Sequence, residues 1–243
     1  MIFIKNHLLI LIIKTSNIFG KGLVFRKKTF SLERILNYNF PEKEPFNFIQ
    51  VGANDGISFD FLYDFVVKRI STGIVIEPVK EYFDELRSNY TEFENIVKVN
   101  KAVHPLEKSI YINKISSDVV KKYPDWVKGI ASLDPNHHLK TGINSNDIVK
   151  EEVKADSLMN ILNENLVNNK IAYFQVDTEG FDFEVVKGLD FEIFRPLIIK
   201  YENVNLSIVD QNNLKRILKN QKYFLFDELG DTIAINLKKI KLF

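Results

Sequence analysis

Four carboxylates stand where apolar, strand-like runs end or turn: Asp55, Glu77, Asp177 and Glu202. They are far apart in sequence. In a doubly wound α/β sheet, ligands bind at the carboxyl ends of the strands, so all four are expected to converge on one crevice. Glu77 follows Gly56 by 21 residues. That is the spacing at which an acid beyond a glycine turn accepts hydrogen bonds from ribose hydroxyls. A carboxylate suits a vicinal diol because its two oxygens can accept from both hydroxyls. The turn itself, Gly52-Ala53-Asn54-Asp55-Gly56, lacks the G-x-G-x-x-G of dinucleotide sites and the Lys–Ser/Thr of a phosphate loop. Asp55 would also repel a pyrophosphate. The pattern points to a ligand that carries ribose but no phosphate, and it tolerates a positive charge.

The elements that position these groups are legible in order. Phe46 to Val51 is a buried strand, followed at once by the glycine turn and by Phe59, Phe61, Leu62, Phe65 and Val66 at roughly helical spacing. Gly73 to Glu77 is a second strand stopped by Pro78, Lys80 to Asn89 an amphipathic helix, and Ile96 to Asn100 a third strand. Ser109 to Ile115 and Val149 to Lys154 read as further strands, with Asp156 or Ser157 capping a helix at 158–166. Ile171 to Val176 is a buried strand, Thr178-Glu179-Gly180 its turn, and 181–187 the next helix, ended by Gly188. Leu197 to Tyr201 is a strand and Val209 to Leu218 a helix. Tyr223 to Glu228 and Thr232 to Leu237 flank Gly230-Asp231 as an antiparallel hairpin. Strand–helix alternation closed by a hairpin predicts an α/β, Rossmann-like, mostly parallel sheet with one reversed strand. Residues 116–147 break the rhythm with an irregular insert, which is usually functional at this length.

The chain has 243 residues, 45% hydrophobic and 27% charged, with net charge +1 and no cysteine. This fits one catalytic domain at 46–243 preceded by a helical extension at 1–45. It excludes disulfides, thiolate metal sites and a cysteine nucleophile, and nothing in it favours nucleic acid as a partner. A reducing, cytoplasmic setting is expected. Leu8 to Ile13 is apolar between Lys5 and Lys14. It is too short to span a bilayer, and Thr15-Ser16-Asn17 makes a poor signal cleavage site. The expectation is a helix packed on the domain or on a second copy in a homodimer. The alternative is peripheral membrane contact helped by Lys21, Arg26, Lys27 and Lys28.

Val-Gly-Ala-Asn-Asp-Gly at 51–56, Ile-Glu-Pro at 76–78, Asn-Lys-Ala-Val at 100–103, Val-Asp-Thr-Glu-Gly-Phe-Asp at 176–182 and Tyr-Glu at 201–202 together resemble the FkbM-type family of S-adenosylmethionine-dependent methyltransferases. The resemblance covers about residues 46 to 205. It implies a class I methyltransferase fold and O-methylation, often of sugar hydroxyls in bacterial glycans. The donor it implies, S-adenosylmethionine, has ribose, no phosphate and a cationic sulfonium. Carried over by position, Gly52, Ala53, Asn54, Asp55 and Gly56 would wrap the methionine end. Glu77 and Pro78 would hold the ribose, and Asn100, Lys101 and Ala102 would lie near the adenine. Asp177 and Glu179 would face the reacting centre, with Glu202 toward the acceptor. Gln50 departs from the acid many methyltransferases carry before the glycine turn, and Asp55 is the candidate substitute.

In the insert, His138 is the candidate base when the insert closes as a lid, His137 a substrate contact, and Trp126 a stacking surface for a sugar ring. Asp177, Glu179 and Glu202 are hard-oxygen donors, but no metal is expected. Two other readings remain: a nicotinamide-dependent oxidoreductase, disfavoured by the missing glycine fingerprint, and a noncatalytic binding module on the same fold.

Overall fold

The computed structural model describes residues 2–18, 30–59, 61–165 and 170–242. Lys21, Arg26, Lys27 and Lys28 lie outside them. The elements run α1 (Ile2–Ile18), α2 (Leu32–Asn39), β1 (Pro45–Val51), α3 (Leu62–Val67), β2 (Ile70–Ile76), α4 (Lys80–Asn89), β3 (Ile96–Val99), β4 (Ala102–Val103) and β5 (Ser109–Ile115). After the insert come β6 (Ile148–Asp156), α5 (Leu158–Asn165), β7 (Tyr173–Val176), α6 (Asp182–Lys187), β8 (Ile198–Glu202), α7 (Ile208–Asn220), β9 (Phe224–Glu228) and β10 (Asp231–Ile235).

Seven strands form the main sheet in the order β3-β2-β1-β7-β8-β10-β9. All contacts from β3 to β8 are parallel, and β10 runs antiparallel to both β8 and β9. This is the class I methyltransferase arrangement, with the hairpin supplying the reversed strand. The order turns back between β1 and β7. The topology therefore opens its crevice at the carboxyl ends of those two strands. The strands are apolar on both faces because both are covered. Phe46 and Phe48 of β1 pack on one side with Leu32, Ile35, Leu36 and Tyr173. Ile49 and Val51 pack on the other with Phe174, Val176, Tyr201 and Leu214. The period-two alternation of β1 splits it between two cores.

β4, β6 and β5 form a separate three-stranded sheet. Between β5 and β6 the insert is more regular than its composition suggests. It is a chain of 3₁₀ turns at Val120–Lys122, Asp125–Ile130, His137–Thr141 and Ser145–Asp147. Ile115, Val127, Ile130 and Ile143 give it a small core of its own. The helix expected from Phe59 starts only at Leu62. Phe59 has φ 74 and is exposed, so it belongs to the turn. Among the described residues, no helix is long and apolar enough to cross a membrane.

The glycine turn is fixed by a close approach. Gly52 has φ +76, and a Cβ there would lie 1.7 Å from the carbonyl oxygen of Asp177. Gly52 N and Ala53 N both donate to Ile76 O, and Asp177 N donates to Val51 O. Only glycine lets β1 and β7 end this close together. Gly142 has nearly the same φ, +74, but nothing within 4 Å of a built Cβ. The two glycines separate backbone strain from crowding. Gly142→Ala should cost about 1 kcal/mol in urea unfolding, the left-handed penalty alone. Gly52→Ala should cost at least about 3 kcal/mol, because backbone must also move. Equal losses would show that the contact at Asp177 is not tight.

Candidate active site

The crevice opens above the ends of β1, β2 and β7. Its floor is Gln50, Gly52, Ala53, Asn54, Glu77, Pro78, Asp177, Thr178 and Glu179. One wall is apolar and comes from the second sheet and its neighbours: Ala102, Val103, Ile110, Ile112, Tyr82 and Leu133. Trp126, Phe59, Phe181 and the backbone of the insert at Gly129 and Ala131 border the rest.

Glu77 sits one residue past β2 and is 5% exposed. Its Oε2 accepts from Asn54 N at 2.9 Å and its Oε1 from Val79 N at 2.9 Å. Each oxygen keeps a lone pair for a ligand hydroxyl. Burial pushes the carboxyl up to about 7, against the pull of the two backbone N–H groups. The structure thus offers a fixed diol acceptor beside an apolar slot, with acids on the floor and no phosphate cradle. That donor set fits a ribose-bearing cation.

The second turn concentrates charge. Oxygens of Asp177, Glu179 and Glu202 lie within 4.8 Å of one another. Asp182, at the head of α6, is fully buried. Its Oδ2 accepts from Thr178 N (3.2 Å) and Thr178 Oγ1 (2.8 Å), and its Oδ1 accepts from Glu202 N (3.1 Å). It therefore clamps the ends of β7 and β8 together. Asn205 Nδ2 donates to Glu179 Oε2 at 2.8 Å and to both oxygens of Glu202 at 3.1 and 3.0 Å. Glu179 itself holds φ 52. A left-handed conformation in a non-glycine residue stores strain of the kind found at functional sites. Burial raises Asp177 well above the usual carboxylate range, with Glu202, Asp182 and Glu179 adding to it. Burial pushes Asp182 up to about 6 and Glu202 up to about 7, the latter helped by Glu179.

The insert grips both turns. Asn54 Nδ2 donates to Lys128 O (2.9 Å) and Ser132 Oγ to Glu179 O (2.8 Å). His137 Nε2 lies 3.0 Å from Glu179 Oε2, within hydrogen-bond distance.

The structure gathers some of the expected site residues and redirects others. Gly52, Ala53, Asn54, Glu77, Pro78, Lys101, Ala102, Trp126, Asp177 and Glu179 border the crevice. Asp55 does not serve it. Its Oδ1 accepts from Ile57 N and Ser58 N and its Oδ2 from Ser58 Oγ, so the carboxylate is consumed in closing its own loop. Gly56 is a packing glycine, its φ +80 and its hydrogen facing Leu86 and Tyr90. Asn100 braces the β2 end by donating to Glu77 O and Pro78 O. The ammonium of Lys101 is held by Asp156 and Glu164. His138 bonds Ser145 Oγ at 2.8 Å inside the insert. The histidine that meets the carboxylates is therefore its neighbour His137. Glu202 stands behind Glu179 in the acid cluster. Thr178 also borders the crevice, while its hydroxyl donates to the buried Asp182.

Sequence reasoning missed Asp182, Asn205, Ser132, Phe59 and the wall residues Ile110 and Ile112. Asp182 was within reach, as the last letter of Val-Asp-Thr-Glu-Gly-Phe-Asp. The others depend on long-range packing that no local pattern encodes.

The sequence profile of the methyltransferase FkbM domain matches residues 50–232. No curated protein matches by sequence. Among solved structures, methyltransferase FkbM from Methylobacillus flagellatus KT is 14% identical with a TM-score of 0.46, covering 80% of this chain and 43% of that one. Precorrin-6y C5,15-methyltransferase from Geobacter metallireducens GS-15 is 9% identical with a TM-score of 0.41, covering 84% and 87%. A Methanococcus jannaschii fibrillarin pre-rRNA processing protein is 14% identical with a TM-score of 0.41, covering 85% and 75%.

The buried acids have a consequence for stability. In the unfolded chain they ionise near pH 4. In the folded chain Glu77, Asp182 and Glu202 hold protons to about 6–7, and burial raises Asp177 well above the usual carboxylate range. The folded state binds more protons than the unfolded one across this window, so this cluster's contribution falls as pH rises from about 4.5 to 7. The advantage of Asp177→Asn over the parent in melting temperature should grow from pH 5 to pH 8 by a few degrees, on the order of 1–2 kcal/mol. A variant advantage that shrinks with rising pH would contradict the assignment.

Proposed function

The chain belongs to the FkbM methyltransferase family, and from that premise we propose that it methylates a hydroxyl oxygen of a sugar-like acceptor. S-adenosylmethionine is its methyl donor. When bound, the donor supplies an activated methyl on a sulfonium, leaving as a neutral thioether. What remains for the protein is to hold, orient and deprotonate. Glu77 would accept from the ribose hydroxyls, and Ala102, Val103, Ile110 and Ile112 would enclose the adenine. The Gly52–Asn54 turn, free of side-chain bulk at Gly52, would let the methionine end approach the floor. Asp177 would sit nearest the transfer. Glu179, oriented by His137 and Asn205, would accept the acceptor's hydroxyl proton as the O–C bond forms and the C–S bond breaks. Asp182 positions both by tying the ends of β7 and β8.

The observation that carries the acceptor assignment is the rim. Trp126 is 45% exposed and Phe59 54% exposed, both bordering the same crevice as Asp177 and Glu179. Exposed aromatic faces beside hydrogen-bond acceptors suit a carbohydrate, which offers C–H faces and hydroxyl donors. A bacterial glycan or glycoconjugate fits this chemistry.

Two measurements test the roles. Glu77→Ala should weaken S-adenosylmethionine binding at least tenfold, while Glu179→Gln should lower kcat about 10²–10⁴-fold with little change in donor Kd. Equal effects on binding and turnover would reject the division. Because Glu77 must be ionised to accept from both hydroxyls and titrates at about 7, donor affinity in calorimetry should rise about tenfold from pH 6 to pH 8. Product analysis by NMR should place the new methyl on oxygen; an N- or C-methyl product would overturn the acceptor class.

A further inference from the structure

Among the described residues, helix α1 docks on the domain through one face and leaves a row of apolar side chains exposed on the other. Its inner face docks through Ile13, which is buried, and through Asn6. Asn6 Nδ2 donates to Leu237 O at 3.0 Å and Ile240 O at 2.7 Å, and its Oδ1 accepts from Leu242 N at 3.1 Å. The outer face is Ile4, Leu8 and Leu11, at 71%, 57% and 57% exposure, with Ile12 beside them. These positions repeat at i, i+4 and i+7 and form one stripe. By helical phase, Lys5 and Lys14 fall on its two flanks, and both are exposed. The helix has no acid. Residues 1–30 carry six Lys and Arg and no Asp or Glu, whereas the rest carries 27 cations against 32 acids, from totals of 33 and 32.

We propose that α1 lies along an anionic phospholipid surface, with Ile4, Leu8 and Leu11 in the acyl boundary and Lys5 and Lys14 at the headgroups. At 17 residues the helix is about 25 Å long, short of the roughly 30 Å a spanning helix needs, so it rests on the bilayer. Apolar area plus flanking cations is the combination that binds anionic lipid interfaces. A second copy of the chain is the weaker occupant, because an α1–α1 contact would face like charges with no acid on the helix to pair them. The docking also sets orientation. Leu237 and Ile240 follow β10, whose end pairs with Ile198 at the start of β8. Helix α1 is therefore at the sheet end opposite the crevice, and a bilayer-bound enzyme presents its crevice to the water.

The test uses the full chain and vesicles of phosphatidylglycerol and phosphatidylcholine in a flotation assay. The parent should float with these vesicles and much less with phosphatidylcholine alone. The triple substitution Ile4→Asp, Leu8→Asp, Leu11→Asp should lower the partition coefficient at least tenfold. It touches only the outer face, so melting temperature and S-adenosylmethionine binding should stay unchanged. Lys5→Gln with Lys14→Gln, which leaves the apolar stripe intact, should lower it about fivefold per cation at low salt. Failure of the parent to float, or flotation of the triple variant like the parent, overturns the proposal. So does ultracentrifugation showing a parent dimer that the triple substitution makes monomeric. None of these outcomes depends on the acceptor or the transfer chemistry.

Discussion

Everything in the catalytic half of the molecule depends on how closely the ends of β1 and β7 meet. The Cβ that Gly52 lacks would sit 1.7 Å from Asp177 O, so the two turns that follow those strands share one space. That contact places Glu77, reached through the Gly52–Ile76 and Asn54–Glu77 hydrogen bonds, beside the acid cluster that begins at Asp177. The backbone makes the introduction. The side chains then inherit positions that none of their own bonds could set.

The cluster is held together at an electrostatic cost. Asp177, Glu179, Glu202 and Asp182 are drawn into one corner, and burial keeps three of them from ionising at their ordinary pH. Such a corner is unfavourable unless something offsets it. Asp182 is offset internally, by donors on both of its oxygens. Glu202 accepts from Asn205 on both oxygens, and Asp177, crowded by its acidic neighbours, gains from a proton or a cation. A sulfonium donor is a cation, so its occupancy of the crevice would favour the ionised forms. The family's cofactor and the folded state's excess of acids are complementary on these grounds. The arrangement can be unfavourable for the empty fold and favourable for the loaded one, as expected where activity is traded against stability.

The sheet was readable in the sequence because its signals are local. Continuous apolar runs bounded by glycine, proline and acids mark β1, β2, β7 and β8, and the Gly230 turn marks the hairpin. Glu77 was readable for the same reason: its spacing from the glycine turn is set by one strand–helix–strand unit. Asp55 misled because an acid in a glycine turn has two uses, and here the nearby Ile57 and Ser58 amides satisfied it first. Phe59 misled because an aromatic at helical spacing looks like core, while its left-handed φ puts it on the rim. The choice between His137 and His138 was beyond the sequence. Adjacent residues on a 3₁₀ turn point in different directions, and only the docking of that turn on Glu179 decides which one meets the acids. The apolar wall from Ile110 and Ile112 was likewise invisible, since it requires the second sheet to close over the first.

The insert then has a role that its irregular composition obscures. It is bonded to the first turn through Asn54 and Lys128 O and to the second through Ser132 and His137 on Glu179. It also pairs with β5 through Asn113 and Ser132. One segment thus touches the glycine turn, Glu179 and the aromatic rim at Trp126. Ordering Asn54 on a bound donor would also order Lys128, two residues from Trp126 and four from Ser132. In the function proposed above, donor binding and acceptor recognition would share this mechanical element. Under that proposal the acceptor surface would come largely from a segment outside the parallel sheet, so changes in the insert would alter the acceptor while the sheet kept its donor chemistry.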